Sequence, residues 1–255
     1  MKRQRLDVLL VSQELAPDLA RARALILAGR VFWNDQRLDK AGHQVPAAAE
    51  LSVRGRDHPY VSRGGVKLAG ALDAFGVDPS GDVAADFGAS TGGFTDCLLR
   101  RGAARVYAID VGYGQLAHRL RVHDRVVVME RTNARQVVQL PEPIDLVVID
   151  ASFISITRLL PAARAVLREG GEVIGMVKPQ FEVSRDALER GIVRDEGRRA
   201  AAIDAVADAA CSLGFQLLGR ADSVLAGPGG NIEAFLRLVR PATRRRWSCS
   251  SGRTS

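Results

Sequence analysis

From residue 63 onward, short apolar runs rich in β-branched residues recur at about 82–87, 105–110, 125–130, 145–150, 171–177, 215–224 and 234–239. Helical patterns separate most of them, and another helix is predicted around Val66–Phe75 ahead of the first run. Runs such as Leu146-Val147-Val148-Ile149 show no polar alternation, which implies strands buried on both faces. The expected architecture over 63–240 is therefore a doubly wound, mostly parallel α/β sheet. Residues 1–56 read differently. Leu6, Leu9, Leu10 and Leu15 mark one helical face, and Pro17-Asp18 opens a second helix carrying Ala24, Leu25, Ile26 and Leu27 to its end at Ala28-Gly29. Arg30–Asp35 predicts a strand entering an Asn-Asp turn and Glu50–Val53 another, giving a small α+β domain. Residues 57–62, punctuated by Pro59, predict a linker, and 241–255, rich in Arg and Ser, a disordered tail.

Charge sharpens this division. The net charge of +7 is uneven: residues 1–60 hold 10 Lys/Arg against 7 Asp/Glu, 61–239 hold 21 against 22, and 240–255 hold 5 against none. Basic ends around a neutral middle suit a protein that docks on a polyanion through its appendages. No apolar run approaches the roughly 18 residues that span a bilayer, and the basic N-terminus leads into an amphipathic pattern with Asp7 and Glu14 instead of a signal-peptide core. The expectation is a cytoplasmic protein without a membrane partner. Cys97, Cys211 and Cys249 are scattered and lack any C-x-x-C spacing, so neither a metal site nor a disulfide framework is expected.

Candidate chemistry gathers where the predicted strands end. The first runs into Asp86-Phe87-Gly88-Ala89-Ser90-Thr91-Gly92-Gly93-Phe94-Thr95, where side chains at 88, 92 or 93 would occupy a ligand's space. The second ends in Asp110, about 20 positions on, where a carboxylate can take both hydroxyls of a ribose. A dinucleotide fold wants G-x-G-x-x-G to bring a helix N-terminus to pyrophosphate. Here the pattern is G-x-x-x-G-G behind an acid, which resembles the first motif of S-adenosylmethionine methyltransferases. The same resemblance implies that Asn133, just past the third strand, sits where such enzymes contact the adenine. Strands four and five end at Asp150 and Lys178, which the switch-point rule for open α/β sheets sends into the same cleft.

Over residues 3–240 the chain resembles the TlyA family, ribosomal-RNA 2′-O-methyltransferases once called haemolysins. The blocks that carry the resemblance are Ser62-Arg63-Gly64 with Lys67, Gly88–Thr95, Asp110–Leu116, Glu130–Arg135, Ser152–Ile156, Val177–Val183 and Gly227–Glu233. The resemblance implies a Rossmann-like FtsJ-type methyltransferase sheet, S-adenosylmethionine held by Asp86, Gly88, Ser90, Thr91, Gly92, Gly93, Phe94, Asp110 and Asn133, and a catalytic tetrad of Lys67, Asp150, Lys178 and Glu233. Arg5-Leu6-Asp7, Arg23–Ile26 and Gly29–Asn34 resemble the S-four-type RNA-binding module of ribosomal proteins, although its usual Asn-Gly turn is Asn34-Asp35 here. Arg21, Arg23, Arg30 and Arg37 would then face RNA phosphates, and Arg5 and, outside the module, Arg63 are further candidate RNA contacts.

The partner implied is ribosomal RNA or a ribosomal subunit, the target a cytidine of large-subunit 23S RNA and, in the longer type, also of 16S RNA. A ribose hydroxyl is a poor nucleophile at neutral pH, so the site must align it and remove its proton. The resemblance gives that task to Lys178, with Asp150 orienting its ammonium and Glu233 holding Lys67. Phe153, Phe181 and Tyr113 are candidates to stack an unpaired base, with core packing the expected role of the first two. A base methyltransferase would carry prolines after strand four, which Asp150-Ala151-Ser152-Phe153 lacks. A non-enzymatic haemolysin or RNA-binding protein is the other alternative.

Overall fold

The apolar runs from residue 82 onward become seven strands of one sheet in a computed structural model of the chain, which describes residues 3–16, 18–27, 29–53, 58–227 and 230–242. Its contacts divide the chain into two units, Met1–Pro59 and Tyr60–Ser255. The expected roles of Pro17, Ala28 and residues 54–57 lie outside the described residues, as does the tail from 243 onward.

In the larger unit the elements run α3 (Arg63–Phe75), β6 (Val83–Phe87), α4 (Gly93–Arg100), β7 (Arg105–Ile109), α5 (His118–Arg121), β8 (Val126–Met129), β9 (Ile144–Ile149), α6 (Leu160–Val166), β10 (Leu167–Val177), α7 (Pro179–Glu182), α8 (Glu196–Ser212), β11 (Gln216–Asp222) and β12 (Ala234–Val239). The sheet order is β11-β12-β10-β9-β6-β7-β8. β12 alone opposes its neighbours β10 and β11; the other pairs are parallel. Successive strand side chains point to opposite faces, so an unbroken apolar run feeds two cores. Ala85, Phe87, Val147, Ile149, Val173 and Val177 pack with α6 and α8, while Ala84, Leu146, Val148, Ile174 and Met176 pack with α3 and α4. The chain leaves β6 toward β7 on one side, whereas β9 pairs on its other side, and this reversal opens a crevice at the carboxyl ends of β6 and β9. Residues 60–62, placed in the expected linker, pack within this unit: Val61 is buried and its N–H donates to Asp96 at 2.8 Å.

The smaller unit contains β1 (Arg3–Arg5), α1 (Leu6–Ser12), α2 (Leu19–Leu27), β2 (Val31–Trp33), β3 (Gln36–Leu38), β4 (Gln44–Pro46) and β5 (Leu51–Val53). β2 is the centre of a three-stranded sheet, β3-β2-β5, and β1 pairs separately with β4. The apolar stripe of α2 is Ala22, Leu25 and Ile26, not the run 24–27, because consecutive helical residues diverge by 100° and Leu27 is left 88% exposed. Asn34 and Asp35 both take left-handed backbone (φ 48° and 64°), so this hairpin turn forms without the usual glycine.

Candidate active site

Two cavities open at the crevice beyond β6 and β9. The larger, of about 600 Å³, receives Lys67, Asp150, Lys178 and Glu233. The smaller, of about 320 Å³, is walled by Ile109, Asp110, Val111, Asn133, Ala134 and Ile154 among others. They share Gly88, Ser90, Asp150, Ser152 and Phe153, so a ligand seated in the smaller one reaches the charged side chains through that waist.

The glycine loop shapes the waist. The N–H groups of Gly88 and Ala89 bond Ile109 O of the adjacent strand, and Ser90 N donates to Asp110 Oδ2 at 2.9 Å. Asp110 also receives Gly112 N at 2.7 Å, which aims its carboxylate into the smaller cavity wall. A Cβ on Gly88 (φ +90°) would stand 2.7 Å from Asp150 O, so glycine here is what lets the ends of β6 and β9 close up. The expectation that all three glycines clear space for a ligand needs correction. A Cβ on Gly92 would meet Leu120 and Leu116, and one on Gly93 would meet Ser62 Oγ, so these two make room for the protein's own packing. Gly92 lines neither cavity, whereas Thr91, Gly93 and Phe94 line the larger.

Asp86 is also displaced from the expected set. It is fully buried, lines neither cavity, and fastens the loop to α4 by accepting from Thr95 N at 2.9 Å and Thr95 Oγ1 at 2.7 Å. Burial pushes its pKa up to about 7. Asn133 keeps its place beside the smaller cavity, where its side chain also caps a short helical turn through Arg135 N.

Four elements deliver the charged groups. Lys67 projects from α3 and is 6% exposed; its ammonium pairs with Glu233, which immediately precedes β12 and is 1% exposed. Lys178 follows β10, where Pro179 ends the strand and starts α7, and its ammonium lies 2.5 Å from Asp150 Oδ1. It also donates to Ser152 Oγ at 2.9 Å. Charges this buried persist only when paired, and the site meets that condition with two cations and two anions facing one cavity. Ser152 and Glu182 received no role from the sequence. Glu182, its pKa raised by burial, accepts from Ile156 N at 2.9 Å and so ties the segment after β9 to the segment after β10.

Phe153 overturns the core-packing expectation. It is 88% exposed, holds left-handed backbone (φ 68°), and sets its ring 5.5 Å from that of Phe181 at the rim of both cavities. A non-glycine residue in that conformation stores backbone strain. Tyr113 is exposed too, beneath the Arg131 guanidinium at 4.2 Å.

The candidate RNA contacts divide. Arg63 is exposed at the larger cavity and donates to Ala226 O at 3.1 Å. Arg21 is exposed and Arg30 partly so. Arg5 and Arg23 pair with Asp7, a fully buried carboxylate, at 2.8 and 3.0 Å, while keeping about half of each side chain open. Their first duty is therefore to neutralise Asp7.

Residues 60–240 match the family described as FtsJ-like methyltransferase, and residues 4–51 match the S4 domain. A Mycobacterium tuberculosis protein named 16S/23S rRNA (cytidine-2′-O)-methyltransferase TlyA is 45% identical, covering 93% of this chain and 90% of its own. Hemolysin A of Brachyspira hyodysenteriae is 37% identical, covering 92% and 99%. A solved structure from Streptococcus thermophilus, also titled as a hemolysin, superimposes with a TM-score of 0.74 at 39% identity, covering 95% and 90%. Among the described residues no helix is long and apolar enough to cross a membrane. With a family match across residues 60–240 and relatives aligned over more than nine-tenths of its length, the chain belongs to the TlyA group of the FtsJ-like methyltransferases.

Proposed function

We propose that the chain methylates the ribose 2′-hydroxyl of a cytidine in ribosomal RNA, using S-adenosylmethionine. The observation that carries this reading is the meeting of two lysine–carboxylate pairs in one cavity next to the glycine loop. The smaller cavity suits the adenosine part of the cofactor, with Asp110 for the ribose hydroxyls and apolar walls for the base. Bound there, the cofactor supplies a methyl group already activated by its positive sulfur.

The chain's task is then to present and deprotonate a weak nucleophile. Asp150 and Ser152 hold Lys178 from two sides, so that its Nζ, as the free amine, stands ready to take the hydroxyl proton as the ribose oxygen attacks the methyl group. Glu233 fixes Lys67, which faces the same oxygen as it gains negative charge. The exposed ring of Phe153 offers an unpaired base a stacking surface at the cavity mouth. The smaller unit, through Arg21 and Arg30 together with the open sides of Arg5 and Arg23, docks the RNA backbone. The name of the Mycobacterium tuberculosis relative points to both 16S and 23S RNA, and large-subunit RNA is the first substrate to test.

The test is methylation of purified ribosomal subunits followed by primer extension and alkaline hydrolysis. A 2′-O-methyl blocks the attacking oxygen, so the modified position should resist alkali. Lys178→Ala should abolish transfer while cofactor affinity, measured by calorimetry, stays within a few-fold. Near-normal turnover by that variant, or an alkali-sensitive product, would overturn the reading.

A further inference from the structure

Gln180 stands in the first turn of α7, two residues beyond Lys178, and lines the larger cavity but not the smaller. Its Oε1 is shut off from solvent and receives no hydrogen bond from any described residue. A buried carbonyl without a donor is destabilising, and such an atom calls for an explanation. Its neighbours do not supply one: the Lys178 ammonium turns to Asp150 and Ser152, the Lys67 ammonium to Glu233, neither donates to Oε1, and the Phe181 ring has no donor. Gln180 therefore carries an unserved acceptor at the cavity wall, which a turn of its side chain would bring to a ligand.

A ribonucleotide within a chain brings few donors. Its 2′-hydroxyl is the group that Lys178 serves, and its other sugar oxygens are esterified. The donors left are on the base. Cytosine offers an exocyclic N4 amine, whereas uracil sets a carbonyl oxygen at the same position. We infer that Gln180 Oε1 accepts a hydrogen bond from the exocyclic amine of the target cytosine and that this contact rejects uridine, whose O4 would oppose one acceptor with another. The inference rests on the proposed ribose methylation and adds the group that recognises the base. Gln180 and Phe181 are adjacent, and Phe181 lies against the exposed Phe153 ring. A base stacked at that rim would thus have its polar edge within reach of the neighbouring amide.

The experiment uses the full chain, S-adenosylmethionine, and ribosomal subunits carrying either cytidine or uridine at the mapped position. The protein as it stands should favour cytidine by about tenfold or more in kcat/KM, the discrimination typical of a good base contact. Gln180→Met keeps the volume, removes the acceptor, and should shrink that ratio to within a few-fold while cofactor Kd is unchanged. Gln180→Glu keeps an acceptor and cannot donate, so it should retain the preference for cytidine. The inference is overturned if Gln180→Met lowers both rates equally and preserves the ratio. It is also overturned if that variant weakens cofactor binding instead, because Oε1 would then belong to the cofactor. Loss of the underlying reading is separate: it would show as an alkali-sensitive product with the unaltered protein, whatever the base ratio.

Discussion

Asp86 makes the folded state of the larger unit sensitive to pH in an unusual direction. Its carboxyl is fully buried; Oδ2 is served by Thr95, and Oδ1 is shut from solvent with no donor among the described residues. Burial is the main reason its pKa stands at about 7, Asp150 and Asp110 adding to the rise while the Thr95 bonds oppose it. In the unfolded chain the same group releases its proton near pH 4. Between those values the folded protein retains a proton that the unfolded chain has lost, so stability falls as pH rises and the loss is complete above about pH 7. A displacement of roughly 3 pH units at about 1.4 kcal/mol each bounds the cost at about 4 kcal/mol. Asp86→Asn preserves the shape and an acceptor for Thr95 but carries no charge. It should match the parent protein below about pH 3.5 and exceed it by up to that amount at pH 8. Urea unfolding followed by circular dichroism at several pH values gives the difference, from which other titrating groups cancel. A difference that is flat between pH 5 and 8, or a parent more stable than the variant at pH 8, would refute the argument.

Two further perturbations probe the scaffold. Gly92→Ala combines a left-handed backbone (φ +92°) with a Cβ 2.3 Å from Leu120, and should cost about 2–4 kcal/mol in unfolding while cofactor affinity of the folded fraction is kept. In the smaller unit, the Arg5 guanidinium first, then Arg23, holds the Asp7 carboxyl well below the usual carboxylate range. That stabilisation is present above about pH 4 and is lost as acid protonates the folded carboxylate. Asp7→Asn should therefore destabilise this unit at pH 7 and narrow its acid transition, as followed by Trp33 fluorescence.

What could be read along the chain depended on how local its cause was. Strand ends and the residues just past them were legible, because an apolar run stops where backbone turns toward solvent or ligand. Asp150 and Lys178 accordingly fall one residue beyond β9 and β10. Lys67 and Glu233 came only through resemblance, since nothing near either residue states that they will meet across 166 positions. The glycines were legible as small residues but not in their cause: Leu116, Leu120 and Ser62, which crowd Gly92 and Gly93, are brought there by the fold. Asp86 misled for a related reason. An acid before a glycine loop looks like a ligand group, and only three-dimensional burial reveals that it faces inward to Thr95. Phe153 looked like core because apolar residues usually are; its left-handed backbone, which turns the ring outward, leaves no local mark.

The Lys67–Glu233 pair allows chemistry and stability to be separated. Both groups are almost fully buried, so their attraction works against the cost of removing two ions from water, and the net stabilisation of such a pair is near zero or negative relative to apolar residues of similar volume. Removing one partner is another matter, because the remaining charge stays buried alone. Lys67→Met and Glu233→Met should each destabilise by about 3–5 kcal/mol, whereas the double variant should regain most of that loss. Methyl transfer should fall in all three. Recovery of stability without recovery of activity would mean that the pair is kept for what it does to the substrate oxygen and not for what it contributes to folding. If the double variant were as unstable as the sum of the singles, the pair would be a structural element of α3 and the strand edge, and its place in the reaction would have to be withdrawn.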